Sequence, residues 1–327
     1  MRLRAICAIW LLLLPAGLGA QTQVLVISGL GGDPQYKRAF TDQASRMAGA
    51  LRDRAKLPVQ DVVWLGEDSA NASPNYGGIS TKVNVERVLR TFLSRARPGG
   101  QLVLLLIGHG AGEGTESRIS IPGPDITAAE FAKLLAPFAS QRVAFVDLTS
   151  ASGDMVEVLS APNRVVITAT KTALERNESQ FSRFFVEAFT KDGADTDKDG
   201  RVSLLEAFRY AAAETKRFYD TATKMMTEHA QLDDNGDKVG TAEPTGKSGD
   251  GVLARRFFLD AGAASLAGND PRLGPLYAER FAIEERLDAL RAGKASMGAE
   301  AYDDELEKVL VALARKAREI RLIEGRS

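Results

Sequence analysis

The chain has 327 residues, of which 44% are hydrophobic and 26% are charged, with 42 Lys and Arg against 43 Asp and Glu. This balance gives no electrostatic basis for binding nucleic acid or an anionic membrane surface. The length is sufficient for one large α/β domain with a helical extension.

Residues 1–20 have the pattern of a secretory signal peptide. Two arginines precede a short apolar run, and the small residues Gly19 and Ala20 follow it. The run is shorter than the ~20 residues that span a bilayer, and no later segment predicts a membrane span. The only cysteine, Cys7, lies in this segment. We therefore expect a periplasmic or secreted protein whose mature form contains no thiol.

Within the predicted domain, residues 21–260, short apolar runs alternate with amphipathic stretches from residue 23 to about residue 188. Continuous apolar runs are typical of strands buried on both faces of a sheet. The pattern predicts an α/β domain with a mainly parallel sheet and helices on both faces. Thr127 and Glu130 have the spacing of a capping box at a helix start. The predicted strands are 24–27, 62–65, 102–107, 143–146 and 164–168, and the predicted helices include 35–55, 81–95 and 180–189.

Residues 195–206 match the twelve-position calcium loop of an EF-hand. Carboxylates stand at positions one, three and five, a glycine at six and a glutamate at twelve, and helices are predicted on both sides, near residues 180–217. Hard oxygen ligands in this order favour Ca²⁺ as cofactor. The alternative is an acidic turn with a fortuitous glycine. The predicted ligands are Asp195, Asp197, Asp199, the Arg201 carbonyl, Ser203 and Glu206.

A second acidic segment at residues 233–237 resembles the first loop less closely. It lacks a glycine at the sixth position, and Pro244 stands where the twelfth-position acid is expected. The pattern favours a polar turn, with a second, weaker calcium site as the alternative.

The C-terminal part of the chain is predicted to be helical. A final strand is predicted at 254–259, a linker at 261–275, and an extension at 276–327 with helices at 277–291 and 300–323. An apolar stripe on the last helix indicates either a hairpin that packs on its own domain or a pairing surface for a partner or a second copy. The stripe comprises Leu306, Val309, Leu310, Leu313, Ala317 and Ile320.

Two predicted strands lead into residues that can carry chemistry. Strand 102–107 runs into Gly108, His109 and Gly110, and strand 143–146 runs into residues 147–153, which include Ser150. The pairing resembles the legumain-like branch of the caspase-fold cysteine peptidases, in which a catalytic His-Gly follows one buried strand and Cys-x-Ser-Gly follows the next. Residues 168–171, 175–178 and 228–236 add to this resemblance, which covers roughly residues 23–260.

The resemblance implies a caspase-like fold and a role for each matched residue. His109 would be the general base, Ser150 stands at the position of the nucleophilic cysteine, and the Gly110 and Ser150 amides would hold the oxyanion. Because a serine hydroxyl is much harder to activate than a thiol, we expect a catalytically silent peptidase homologue that binds a peptide or protein partner. The alternatives are an active serine hydrolase that uses Ser150 and His109, and a calcium-stabilised scaffold that acts through its helical tail.

His229 has no partner that the sequence identifies. A histidine in a loop or at a helix end usually has only a hydrogen-bonding role, which is the default interpretation here.

Overall fold

The computed structural model describes residues 21–69, 73–267 and 270–325. The predicted signal peptide lies outside these residues. Residues 21–267 form one compact unit, and residues 270–325 belong to a second. In the described parts of the chain, no helix combines the length and the apolar character needed to cross a membrane.

The first unit is built on a seven-stranded sheet with the order β10-β9-β8-β4-β1-β2-β3. Neighbouring strands are parallel except at β10, which runs antiparallel to β9. The prediction of a mainly parallel sheet is confirmed. Its strands are β1 (Thr22–Ser28), β2 (Val62–Gly66), β3 (Tyr76–Ile79), β4 (Gln101–Ile107), β8 (Arg142–Asp147), β9 (Arg164–Thr168) and β10 (Gln231–Asp233). A small antiparallel sheet contains β5 (Gly110–Ala111), β6 (Arg118–Ile119) and β7 (Ile126–Thr127).

Helices cover both faces of the large sheet, as predicted. Helices α1, α5 and α6 contribute to the core on one face, and α2, α3 and α4 contribute to the core on the other. The helices of this unit are α1 (Pro34–Asp53), α2 (Lys82–Leu93), α3 (Ala128–Leu135), α4 (Met155–Leu159), α5 (Gln180–Thr190), α6 (Leu204–Thr221) and α7 (Ala263–Leu266).

Side-chain alternation along the central strands supplies both cores. In β1, Val24 and Val26 face the core that contains α1, whereas Leu25 and Ile27 face the core that contains α2. All four are fully buried, which explains why the strand is continuously apolar. At the start of α3, Thr127 and Glu130 form the predicted capping box.

The strand predicted at residues 254–259 does not form. Ala254–Arg256 is a short 3₁₀ turn, and the pairing that follows is an isolated bridge between Phe258 and Ser203. The turn is fixed by Asp234, whose carboxylate accepts hydrogen bonds from the Gly251 and Ala254 N–H groups at 2.9 and 2.7 Å. These side chain–backbone bonds replace a strand ladder.

The second unit is a helical hairpin. Helices α8 (Leu273–Ala292) and α9 (Ala299–Glu324) pack against each other. Ion pairs join them, including Arg286–Glu305 at 2.8 Å and Lys316–Glu279 at 2.6 Å. Within the apolar stripe of α9, Val309 and Ile320 are buried and Leu310 is exposed.

Candidate functional site

His109 and Ser150 lie at the same edge of the large sheet. The strands that precede them, β4 and β8, are parallel neighbours, so the loops at their carboxyl ends meet. The Gly110 N–H donates a hydrogen bond to Ser150 Oγ at 3.3 Å. The structure thus brings together the two loops that the sequence singled out.

Gly110 is required by the close approach of these loops. A Cβ atom at this position would lie 2.2 Å from the Ser150 carbonyl oxygen and 2.6 Å from Thr149 Oγ1. The carbonyl oxygen is a backbone atom and cannot move aside unless the turn itself shifts. The glycine of the His-Gly pair therefore has a packing role, whether or not its N–H binds an oxyanion.

The His109 ring is held by aromatic residues of α1. Tyr36 and Phe40 each contact it edge-to-face, with ring centroids 5.0 Å away. Among the described residues, neither ring nitrogen has a hydrogen-bonding partner, and no carboxylate orients the ring as in a catalytic triad. The sequence did not predict these aromatic contacts, because α1 is far from His109 along the chain.

The turn that carries Ser150 is strained and tightly anchored. Ala151 has φ +53°, an uncommon conformation for a residue with a side chain, and its N–H donates to the Glu175 carbonyl at 2.8 Å. Ser152 Oγ accepts from the Ala169 N–H at 3.1 Å. A Cβ atom on Gly153 would lie 2.1 Å from the Lys171 carbonyl carbon. Ser152 and Gly153 therefore fix the turn against the segment that follows β9, a role independent of catalysis.

Asp147, the last residue of β8, is a fully buried carboxyl group behind this turn. Its Oδ1 accepts from the Thr149 N–H at 3.0 Å, and its Oδ2 has no hydrogen-bonding partner among the described residues. Burial raises the pKa of Asp147 to about 6, and its interaction with Thr149 only partly offsets this effect.

We expect Asp147→Asn to change the pH dependence of stability. The pKa of Asp147 rises from 3.8 to about 6 on folding, so the folded state retains a proton that the unfolded state loses, and stability falls as pH rises through this window. Because asparagine does not titrate, the variant does not lose stability in this way as pH rises. The difference in unfolding free energy, variant minus native, should therefore rise by about 2 kcal/mol between pH 4 and pH 7.

Urea unfolding at a series of pH values measures this difference. Asp220→Asn is the matched control, because this aspartate is 65% exposed on the surface of α6. A difference for Asp147→Asn that stays constant with pH would show that Asp147 titrates normally in the folded protein.

His229 has an acidic partner that the sequence did not predict. Its Nδ1 lies 2.6 Å from Glu175 Oε1, and its backbone N–H donates to Glu175 Oε2 at 3.0 Å. The pair lies beside the Ser150 turn, since the Glu175 carbonyl binds the Ala151 N–H. Gln231 Nε2 also donates to the Gly153 carbonyl at 3.1 Å. The antiparallel strand β10 thus brings residues 229–231 beside the Ser150 turn. We call the surface formed by residues 147–153, Glu175 and His229 the candidate cleft.

The first acidic loop, residues 195–206, lies between α5 and α6. Ligand oxygens of Asp195, Asp197 and Asp199 lie within 4.8 Å of one another, and this group can hold a metal ion. Gly200 has φ +91°, which allows its N–H to donate to Asp195 Oδ2 at 2.9 Å. The glycine at the sixth position thus permits the sharp turn that brings the carboxylates close together.

The other predicted ligands have additional roles. Glu206 and Ser203 form a capping box at the start of α6, and Glu206 Oε1 also accepts from the Thr196 N–H at 2.9 Å. The Arg201 guanidinium donates to both carboxylate oxygens of Asp260 at 2.7 and 2.8 Å. Only the backbone carbonyl of Arg201 was predicted as a ligand. The positive charge of its side chain is paired with Asp260.

The electrostatics of the first acidic loop favour a bound cation. Burial, together with the negative charges of Asp197 and Asp195, raises the pKa of Asp199 to about 7. The donors are hard oxygens, so the residues present fit Ca²⁺. A cavity of about 500 Å³ opens beside the loop, and Asp195, Gly200 and Arg201 contribute to its lining.

Comparison with known proteins gives no family. No protein-family model matches this chain, and a search of curated proteins found no significant match. Any functional assignment therefore depends on the residues and contacts described above.

Proposed function

We propose that this protein is an exported, catalytically silent homologue of the legumain-like peptidases that binds peptide segments of a partner protein and is stabilised by calcium. The observation that carries the proposal is the hydrogen bond from the Gly110 N–H to Ser150 Oγ at 3.3 Å. This bond puts the side chain at the cysteine position next to the amide that the resemblance assigns to the oxyanion, whereas the thiol itself is absent.

The chemistry of the pair supports loss of catalysis. A serine hydroxyl requires a base that removes its proton during attack, whereas a thiol near a histidine is partly ionised beforehand. In the described structure, the His109 ring has only aromatic contacts, with Tyr36 and Phe40, and Ser150 is 3% exposed. Among the described contacts, no hydrogen bond joins His109 to Ser150, so no base is positioned to take the proton of the hydroxyl.

The rim of the cleft supports peptide binding. Leu174 is 75% exposed and precedes Glu175, which contacts both the Ser150 turn and His229. An exposed apolar side chain beside the polar Glu175–His229 pair provides the mixed surface that recognises an extended peptide.

The scaffold alternative has one observation in its favour. Helix α9 exposes Leu310, Val311 and Leu322, at 42%, 41% and 73%. Apolar side chains on one exposed helix would suit self-association or capture of a helical partner. The two functions can be separated by matched substitutions at the cleft rim and on α9.

Leu174→Glu should weaken peptide capture at least about ten-fold, because a charge replaces an apolar contact at the rim. Leu322→Glu has nearly the same starting exposure and should leave capture unchanged. The measurement is selection of binding peptides from a displayed library, followed by fluorescence polarisation of each variant. Capture that is lost in Leu322→Glu but retained in Leu174→Glu would favour the scaffold function. A folded native protein that selects no peptide would refute peptide binding.

A further inference from the structure

Residues 233–239, the second acidic loop, repeat side chain–backbone hydrogen bonds of the first acidic loop. Asn235 Oδ1 accepts from the Asp237 N–H at 2.8 Å, and Asp237 Oδ1 accepts from the Val239 N–H at 2.8 Å. In the first loop, the third-position aspartate likewise accepts from the fifth N–H, at 3.1 Å, and the fifth-position aspartate accepts from the seventh, at 2.8 Å. The two loops therefore fold alike at these positions.

The missing glycine does not prevent this conformation. In the first loop, Lys198 at position four has φ +59° and Gly200 at position six has φ +91°. In the second loop, Gly236 at position four has φ +82° and Lys238 at position six has φ +69°. Lys238 thus adopts the left-handed conformation that the pattern reserves for glycine, at an energetic cost that a bound ligand can offset.

The missing twelfth-position acid has a replacement from elsewhere in the chain. Glu206 of the first loop accepts a hydrogen bond from the N–H of position two, Thr196. In the second loop, the N–H of position two belongs to Asp234, and it donates to Asp250 Oδ1 at 3.1 Å. Asp250 therefore supplies a carboxylate in place of the twelfth-position acid. The loop itself lacks that acid, because Pro244 occupies position twelve.

An unpaired buried oxygen at the first position points to a ligand. Asp233 is 1% exposed. Its Oδ1 accepts from the Gly236 N–H at 3.1 Å, but its Oδ2 is buried with no hydrogen-bonding partner among the described residues. Such an atom is costly unless a partner or ion satisfies it.

We propose that the second acidic loop binds a second divalent cation of the calcium type through oxygen atoms of Asp233, Asn235, Asp237 and Asp250. Among the described residues, only the first loop brings three carboxylate ligands within 4.8 Å of one another. The second loop is more open, so its affinity should be lower. This inference does not depend on peptide binding.

Cation binding at this place would fix the edge of the large sheet. Asp233 is the last residue of β10, the edge strand that pairs with β9. Gln231 of the same strand donates to the Gly153 carbonyl beside the Ser150 turn. A cation that joins Asp233 to Asp250 would therefore stabilise one wall of the candidate cleft.

Calorimetric titration of the whole protein with Ca²⁺ tests the proposal. We expect two equivalents for the native protein, the second at least about ten-fold weaker than the first. Glu206→Gln should retain only the weaker equivalent. Asp250→Asn and Asp237→Asn should each retain only the tighter one. Glu243→Gln is the matched control, because it removes an exposed acid from the same segment, and it should leave both.

Failure of the second cation site and failure of peptide binding would give different results. The proposal is overturned if the weaker equivalent is absent from the native protein or survives in both Asp237→Asn and Asp250→Asn. Asp237 is exposed, so its asparagine variant should fold, and circular dichroism verifies this. Loss of peptide capture with both equivalents retained would refute the proposed function and leave the second site standing.

Discussion

Millimolar calcium is expected to raise the melting temperature of this protein by about 5 °C, and Glu206→Gln should abolish most of that rise. A ligand that binds only the folded state stabilises it by mass action, by roughly 2.7 kcal/mol at one hundred times its Kd. The group that would receive the ion is the cluster of Asp195, Asp197 and Asp199. The glutamine variant preserves the shape of the side chain and its capping of α6, but it lacks the charge that closes the loop.

Differential scanning calorimetry with calcium or a chelator measures the effect. Glu214→Gln is the control, since this residue lies on α6 outside the loop and should leave the response unchanged. Equal melting temperatures of the native protein in calcium and in chelator would refute calcium stabilisation. An undiminished rise in melting temperature in Glu206→Gln would show that Glu206 is not a ligand of the ion.

The second large effect is expected from Ser150→Cys. We expect the new thiol to ionise below the usual Cys pKa of about 8.5, because the loops that carry His109 and residue 150 follow neighbouring parallel strands. It should also produce weak cleavage of peptides that the native protein leaves intact. The reason is that the attacking atom changes, whereas the base and the Gly110 N–H stay in place.

The rate of alkylation by iodoacetamide, measured against pH, reports the thiolate directly. Ser94→Cys provides an ordinary thiol at an exposed position. Adding His109→Ala to Ser150→Cys should restore an ordinary pH dependence and abolish cleavage. If His109→Ala changes neither quantity, His109 does not act on the residue at position 150.

The sequence predicted the central strands because each is a continuous apolar run. It missed β3, in which Gly77 and Gly78 weaken the strand pattern, and β10, which has three residues, two of them polar. It wrongly predicted a strand at 254–259, because the hydrogen bonds that the Asp234 carboxylate accepts from this turn are not visible as periodicity. Short or irregular elements are decided by tertiary contacts rather than by local pattern.

In the candidate site, too, the sequence predicted some features and missed others. Motif spacing along the chain located His109, Ser150 and the first acidic loop. It did not locate the Tyr36 and Phe40 contacts or the Glu175–His229 pair, because these residues are far apart in sequence and meet only through the fold. Asp250 was missed for a related reason. The calcium pattern requires an acid at a fixed spacing, whereas the chain supplies one from another turn.

The most direct test of the silent-site account is a hydrolysis assay of the natural protein with a broad peptide library, alongside labelling by a serine-directed fluorophosphonate. The account predicts no turnover and no labelling of Ser150, because the hydroxyl is buried and is not hydrogen-bonded to His109 among the described contacts. Peptide turnover that disappears in both Ser150→Ala and His109→Ala, with matching loss of the label, would contradict it and establish a serine hydrolase.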